Sequence, residues 1–107
     1  MTAPRELLDT AKAVRKNAYS PYSKVKVGAA LRTRDGKIFS GCNVENSSYG
    51  ATVCAERVAI QKAVSELGGK IEIQELVVVT DATPPWTPCG ICRQVIAEFG
   101  SNSTIHS

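Results

Sequence analysis

The 107-residue chain predicts a single α/β domain with helices packed against a mixed sheet. Three observations carry that expectation. Apolar residues recur at helical spacing in the opening segment, and the next segment switches to a period of two. Later, Leu76-Val77-Val78-Val79 forms a short continuous apolar run between two helix-like segments. The resulting order, α-β-β-α-β-α, joins a hairpin to a β-α-β-α run.

Residues 3–18 read as the first helix, with Leu7, Leu8, Ala11, Val14 and Ala18 on one face and charged residues on the other. Pro21 ends it by disfavouring helical geometry at Ser20. In the turn Tyr19-Ser20-Pro21-Tyr22-Ser23 the two aromatics are expected to cap the core, the alternative being a contact with a neighbouring subunit. From Lys24, Val25, Val27, Ala29 and Leu31 alternate with Lys24, Lys26 and Arg32, the pattern of a half-buried strand. Asp35-Gly36 supplies the hairpin turn and 37–42 the return strand, where Cys42 reads as small core packing. A polar stretch, 43–50, leads to a second helix over 54–67 with an apolar stripe of Val58, Ala59, Ile60, Ala63, Val64 and Leu67, stopped by Gly68-Gly69. The run 76–79 suits a central strand covered on both faces. A proline-rich loop, 83–88, delivers Cys89, and a last helix spans 89–99 before a candidate strand start at Thr104-Ile105.

Composition is that of one hydrophobic core, 43% apolar and 21% charged, and no apolar run approaches the ~18 residues of a membrane span. The opening residues carry no basic-then-apolar leader, so a cytoplasmic protein is expected. The net charge of +3 is scattered, its densest group (Lys24, Lys26, Arg32, Arg34, Lys37) lying along the hairpin without interleaved aromatics. That reads as a solvated strand face rather than a nucleic-acid footprint. The four cysteines would make two disulfides in a secreted chain, whereas a C-x-x-C pair in an intracellular one points to metal or redox chemistry.

Three of those cysteines fall in two short motifs, Cys54-Ala55-Glu56-Arg57 and Pro88-Cys89-Gly90-Ile91-Cys92, each opening a helix. Side chains three apart on a helix lie ~5–6 Å from one another, so Cys89 and Cys92 can share one tetrahedral ion. Helix N-termini favour the thiolate form. Three thiolates beside a carboxylate that is not a ligand describe a catalytic zinc site with one position open; a closed structural site would need a fourth Cys or His at matching spacing. Two other readings stand beside this one: a catalytically silent structural zinc module, and a dithiol oxidoreductase using Cys89 and Cys92. Glu56 has its bland reading as a helix-start acid serving the dipole. Arg57 and, less strongly, Arg93 are candidates to hydrogen-bond a ligand sulfur, against ordinary surface charge.

These motifs, with the run Gly41-Cys42-Asn43-Val44-Glu45-Asn46, resemble the small homotetrameric cytidine deaminases. The likeness extends over nearly the whole chain, including 19–23 and Asp35-Gly36-Lys37. It implies a three-layer sandwich with helices on both faces of a mixed sheet, lacking the C-terminal strands and helices with which relatives continue. It implies hydrolytic deamination of cytidine or 2′-deoxycytidine in pyrimidine salvage, with Zn2+ on Cys54, Cys89 and Cys92 and Glu56 carrying protons between water and substrate. By the same likeness Asn43 and Glu45 hold the ribose 3′-hydroxyl, the Ala55 backbone faces the pyrimidine, and Tyr49 reaches a nucleoside in a neighbouring subunit of a homotetramer. A carboxylate at the 3′ position accepts a hydroxyl but repels a phosphate, which favours a nucleoside over a polynucleotide. Val25 stands where such enzymes usually carry an aromatic that stacks on the base. A deaminase of a cytosine-bearing antibiotic is the alternative within the family.

Overall fold

A computed structural model of the chain describes residues 4–48, 52–80 and 104–106. Helix α1 (Arg5–Arg15) is followed by strands β1 (Val27–Thr33) and β2 (Ile38–Cys42), helix α2 (Ala55–Leu67), strand β3 (Ile73–Thr80) and the short β4 (Thr104–His106). The sheet order is β2-β1-β3-β4. β1 pairs antiparallel with both β2 and β3, while β4 runs parallel to β3, so the sheet is mixed as expected. The expected helix over 89–99 and the loop before it lie outside the described residues.

The two helices cover opposite faces. On one, Leu7 and Ala11 of α1 pack on Ala30 and Val77; on the other, Ala55, Ala59, Ile60 and Ala63 of α2 pack on Ala29, Leu31, Phe39, Leu76 and Val78. Alternation along β1 and β3 sorts these side chains between layers, because successive residues of a strand point to opposite faces. The fold is therefore the three-layer sandwich.

Two glycines set how closely the layers approach. A Cβ on Gly28 would lie 2.1 Å from the Ala11 carbonyl oxygen of α1, and one on Gly41 would lie 2.5 Å from the Ala59 nitrogen and 2.7 Å from the Ala55 oxygen of α2. Only glycine lets these backbones meet.

Four local expectations are corrected. β1 is covered on both faces rather than half-buried, since Gly28 and Ala30 meet α1. It also starts at Val27, not Lys24: Lys24 adopts φ +64°, and the Asn43 side chain takes the backbone groups of Val25 and Val27. α1 ends at Arg15 rather than 18, because Tyr19 leaves to form an isolated parallel bridge with Val44. Tyr19 and Tyr22 do not cap the core; they are 56% and 60% exposed. Gly36 at φ +90° turns the hairpin and Gly68 at φ +90° closes α2, both as the residue types predicted.

Candidate functional site

The site is assembled around Val44. Its backbone exchanges two 2.9 Å hydrogen bonds with Val53, while its neighbours Asn43 and Glu45 bond the backbone of Tyr19. By antiparallel register this sets Cys54 across from Asn43 and Thr52 across from Glu45. A stretch of sequence that reads as polar loop thus gathers the residues that follow α1, those that follow β2 and those that precede α2.

Cys54 is the residue preceding α2, on extended backbone (φ −74°, ψ 154°), half-buried and with its carbonyl accepting the Val58 N–H at 3.1 Å. Ala55 and Glu56 follow in the first turn and are buried, Glu56 to 5% exposure, where the other buried residues of the helix are alanines and an isoleucine. Arg57 turns back, its Nη2 donating to the Thr52 carbonyl at 2.9 Å, and so ties down the chain that enters the helix. The close seat of α2 on Gly41 brings this helix end beside the end of β2.

Cys54 suits a soft divalent ion. It is a thiol at a helix N-terminus, where the macrodipole stabilises the thiolate, with a buried carboxylate two residues on. Among the described residues no three His, Cys, Asp or Glu side chains converge, and the other expected ligands, Cys89 and Cys92, lie outside those residues, as does Arg93. Cys42 is a half-buried thiol. Because Gly41 faces α2, alternation turns Cys42 to the opposite face of the sheet from Cys54.

Asn43 and Glu45 are occupied in ways the sequence did not suggest. Asn43 is buried; its Oδ1 accepts the Val27 N–H at 2.9 Å and its Nδ2 donates to the Val25 carbonyl at 3.0 Å, pairings that also fix the amide orientation. Among the described residues the second Nδ2 hydrogen has no acceptor. Glu45 Oε1 accepts the N–H groups of Tyr22 (3.0 Å) and Ser23 (3.1 Å), and Oε2 accepts the Ser23 hydroxyl. The Ser23 hydroxyl, then the two amides and the charge of Lys24, hold the Glu45 carboxyl below the usual glutamate range against a smaller desolvation effect. Ser23 was not anticipated as a site residue, and its place in the polar turn is the only hint the sequence offers. An open hollow of about 310 Å³ is lined by Tyr22, Ser23, Glu45, Asn46, Ser47 and Thr52. Tyr49, beside it in sequence, lies outside the described residues. Val25 is half-buried and packs against the α2-side core.

Comparison with known proteins agrees with this geometry. A family profile described as the cytidine and deoxycytidylate deaminase zinc-binding region matches residues 1–107. A cytidine deaminase of Sporosarcina psychrophila is 53% identical over 98 residues, 92% of this chain and 71% of the relative. A crystal structure of cytidine deaminase from Burkholderia pseudomallei superposes with a TM-score of 0.88 at 47% identity, covering 97% of this chain and 83% of that one. Blasticidin-S deaminase of Bacillus cereus is more distant, 35% identical over 85 residues, 72% of this chain and 59% of the relative.

Proposed function

This chain belongs to the cytidine and deoxycytidylate deaminase family, whose members are hydrolytic deaminases, and on that footing we propose that it converts cytidine and 2′-deoxycytidine to uridine and 2′-deoxyuridine with release of ammonia. The observation that carries the reading is Glu56: a carboxylate 5% exposed, two residues after the candidate ligand Cys54, in a helix turn where packing alone would be met by another alanine.

Cys54, Cys89 and Cys92 would hold a zinc ion. When bound, zinc supplies a Lewis acid that makes water a competent nucleophile near neutral pH. The chain's own residues do the rest. Glu56 accepts a proton from the attacking water and delivers it to the ring nitrogen N3 as the C4–O bond forms. It then takes the proton of the new C4 hydroxyl and carries it to the amine, which departs as ammonia as the C4 carbonyl forms and the C4–N bond breaks. Burial keeps Glu56 from exchanging protons with bulk solvent between these transfers. The backbone of Ala55, at the helix end where N–H groups lack intrahelical partners, faces the pyrimidine. Arg57 steadies the entry to the helix through its bond to Thr52 and stands ready to neutralise ligand thiolate charge.

Glu45 and the remaining hydrogen of Asn43 take the sugar 3′-hydroxyl. An ionised Glu45 would repel a 3′-phosphate, which supports a small nucleoside and not a polynucleotide. No helix among the described residues is long and apolar enough to cross a membrane. Tyr49 completes the pocket of a neighbouring subunit in a homotetramer; the exposed rings of Tyr19 and Tyr22 support a contact with another chain. Such a reaction serves pyrimidine salvage in the cytoplasm.

A second reading, deamination of a cytosine-bearing antibiotic, is favoured by Val25, which removes the base-stacking ring. Ammonia release from cytidine and from blasticidin S, by wild type and Glu56→Ala, separates the two. The reading expects turnover of cytidine in wild type, little with blasticidin S, and none above background in the variant. Preference for blasticidin S, or a fully active Glu56→Ala, contradicts it.

A further inference from the structure

We propose that Ser23 is a positioning residue that aims Glu45 at a ligand hydroxyl and thereby sets how strongly the site distinguishes nucleosides with and without the 3′-hydroxyl; this rests on the reading of Glu45 as the acceptor for that group. The lone pairs of the Glu45 carboxylate decide which oxygen can receive a ligand. Glu45 Oε1 already accepts two amide hydrogens, from Tyr22 at 3.0 Å and Ser23 at 3.1 Å, so both of its good acceptor directions are filled. Among the described residues Oε2 accepts only the Ser23 hydroxyl, which leaves it a second acceptor direction. A ligand hydroxyl must therefore be received by the oxygen that Ser23 orients. Both residues line the same open hollow.

The hydroxyl is itself held. Ser23 Oγ accepts the Val25 N–H at 3.1 Å while donating to Glu45, and the Val25 carbonyl accepts from Asn43 Nδ2 at 3.0 Å. Ser23 thus has its only hydrogen committed to the carboxylate and cannot offer it to a ligand. It acts through Glu45, and it links the sugar end of the site to Val25. The two amide bonds would keep the turn folded without it, so the hydroxyl's particular contribution is the direction of Oε2.

The test measures affinity rather than turnover. In a Glu56→Gln background, which prevents conversion of the ligand, calorimetry gives Kd for cytidine and for 3′-deoxycytidine in three proteins: the parent, Ser23→Ala and Ser23→Thr, with thermal melts confirming a common fold. The parent is expected to favour cytidine by roughly ten-fold or more, the order expected of a hydrogen bond to a charged group. Ser23→Ala should reduce that ratio to about three-fold or less, mainly by weakening cytidine, as expected when a bond made by a charged acceptor is misdirected. Ser23→Thr, which keeps the hydroxyl, should restore the ratio. An unchanged ratio in Ser23→Ala, or equal weakening of both ligands, overturns the positioning role while leaving Glu45 in place. A parent that binds the two ligands alike overturns the sugar reading itself, and the proposal with it.

Discussion

At the scale of single residues, two carboxylates have opposite surroundings. Glu45 lines the hollow with three donors on it, and its carboxyl is held below the ordinary value of 4.5. A depressed folded value means that the stabilisation is fully present above the unfolded value and is lost as the pH falls through the lowered one. Carboxyl NMR titration should therefore find Glu45 with a midpoint below 4.5, and Ser23→Ala, which deletes the largest cause, should raise it. Glu56 is instead buried at the helix start. Glu56→Gln should leave metal content unchanged while ammonia release falls by about 10²–10⁴-fold, the usual worth of a positioned proton carrier. Loss of metal in that variant would mark Glu56 as a ligand. Glu56 was legible because its meaning depends on a neighbour two positions away. Ser23 was not, because its partner lies 22 residues on and nothing local announces the pairing. Asn43 was read as a ligand contact, and the backbone of Val25 and Val27 that it holds is equally remote in sequence.

Among the elements, α2 holds the proposed proton carrier Glu56, and Gly41 decides where the helix sits. Adding a Cβ at Gly41 would put it 2.5–2.8 Å from Ala59, Ala55 and Val58, two of those contacts being backbone that cannot rotate away. Gly41→Ala should destabilise the protein by about 1–3 kcal/mol or more in urea unfolding, and shift the end of α2 enough to weaken metal retention. An unaltered midpoint would mean that the approach relaxes freely. The hairpin and both helices were readable from period and turn chemistry. The covered second face of β1 was not, because the residues that meet α1 there, Gly28 and Ala30, are too small to register as an apolar stripe beside Lys26 and Arg32. Close packing uses such residues because they are small.

In the whole molecule, one sheet separates two cores, with Leu7 buried on the α1 side and Ile60 on the α2 side. Leu7→Ala should cost about 2–5 kcal/mol and Ile60→Val about 0.5–1.5 kcal/mol. Because the two residues fall in separate core clusters among the described residues, the double variant should be additive to about 0.5 kcal/mol in denaturant titrations. Strong coupling would mean that the layers do not act separately. The sequence implied a sandwich and its chain order, whereas the neighbour relation β1-β3 depends on tertiary pairing that no local pattern encodes. That architecture bears on the proposed zinc centre: Cys42, turned to the far face, would be left out of a centre built on Cys54. Zinc-edge X-ray absorption on the purified protein tests this most directly. The account predicts one zinc per chain with three sulfur neighbours and one lighter atom, reduced to two sulfurs in Cys54→Ser and unchanged in Cys42→Ser. Four sulfurs around the ion, or a Cys54→Ser spectrum identical to wild type, would contradict it.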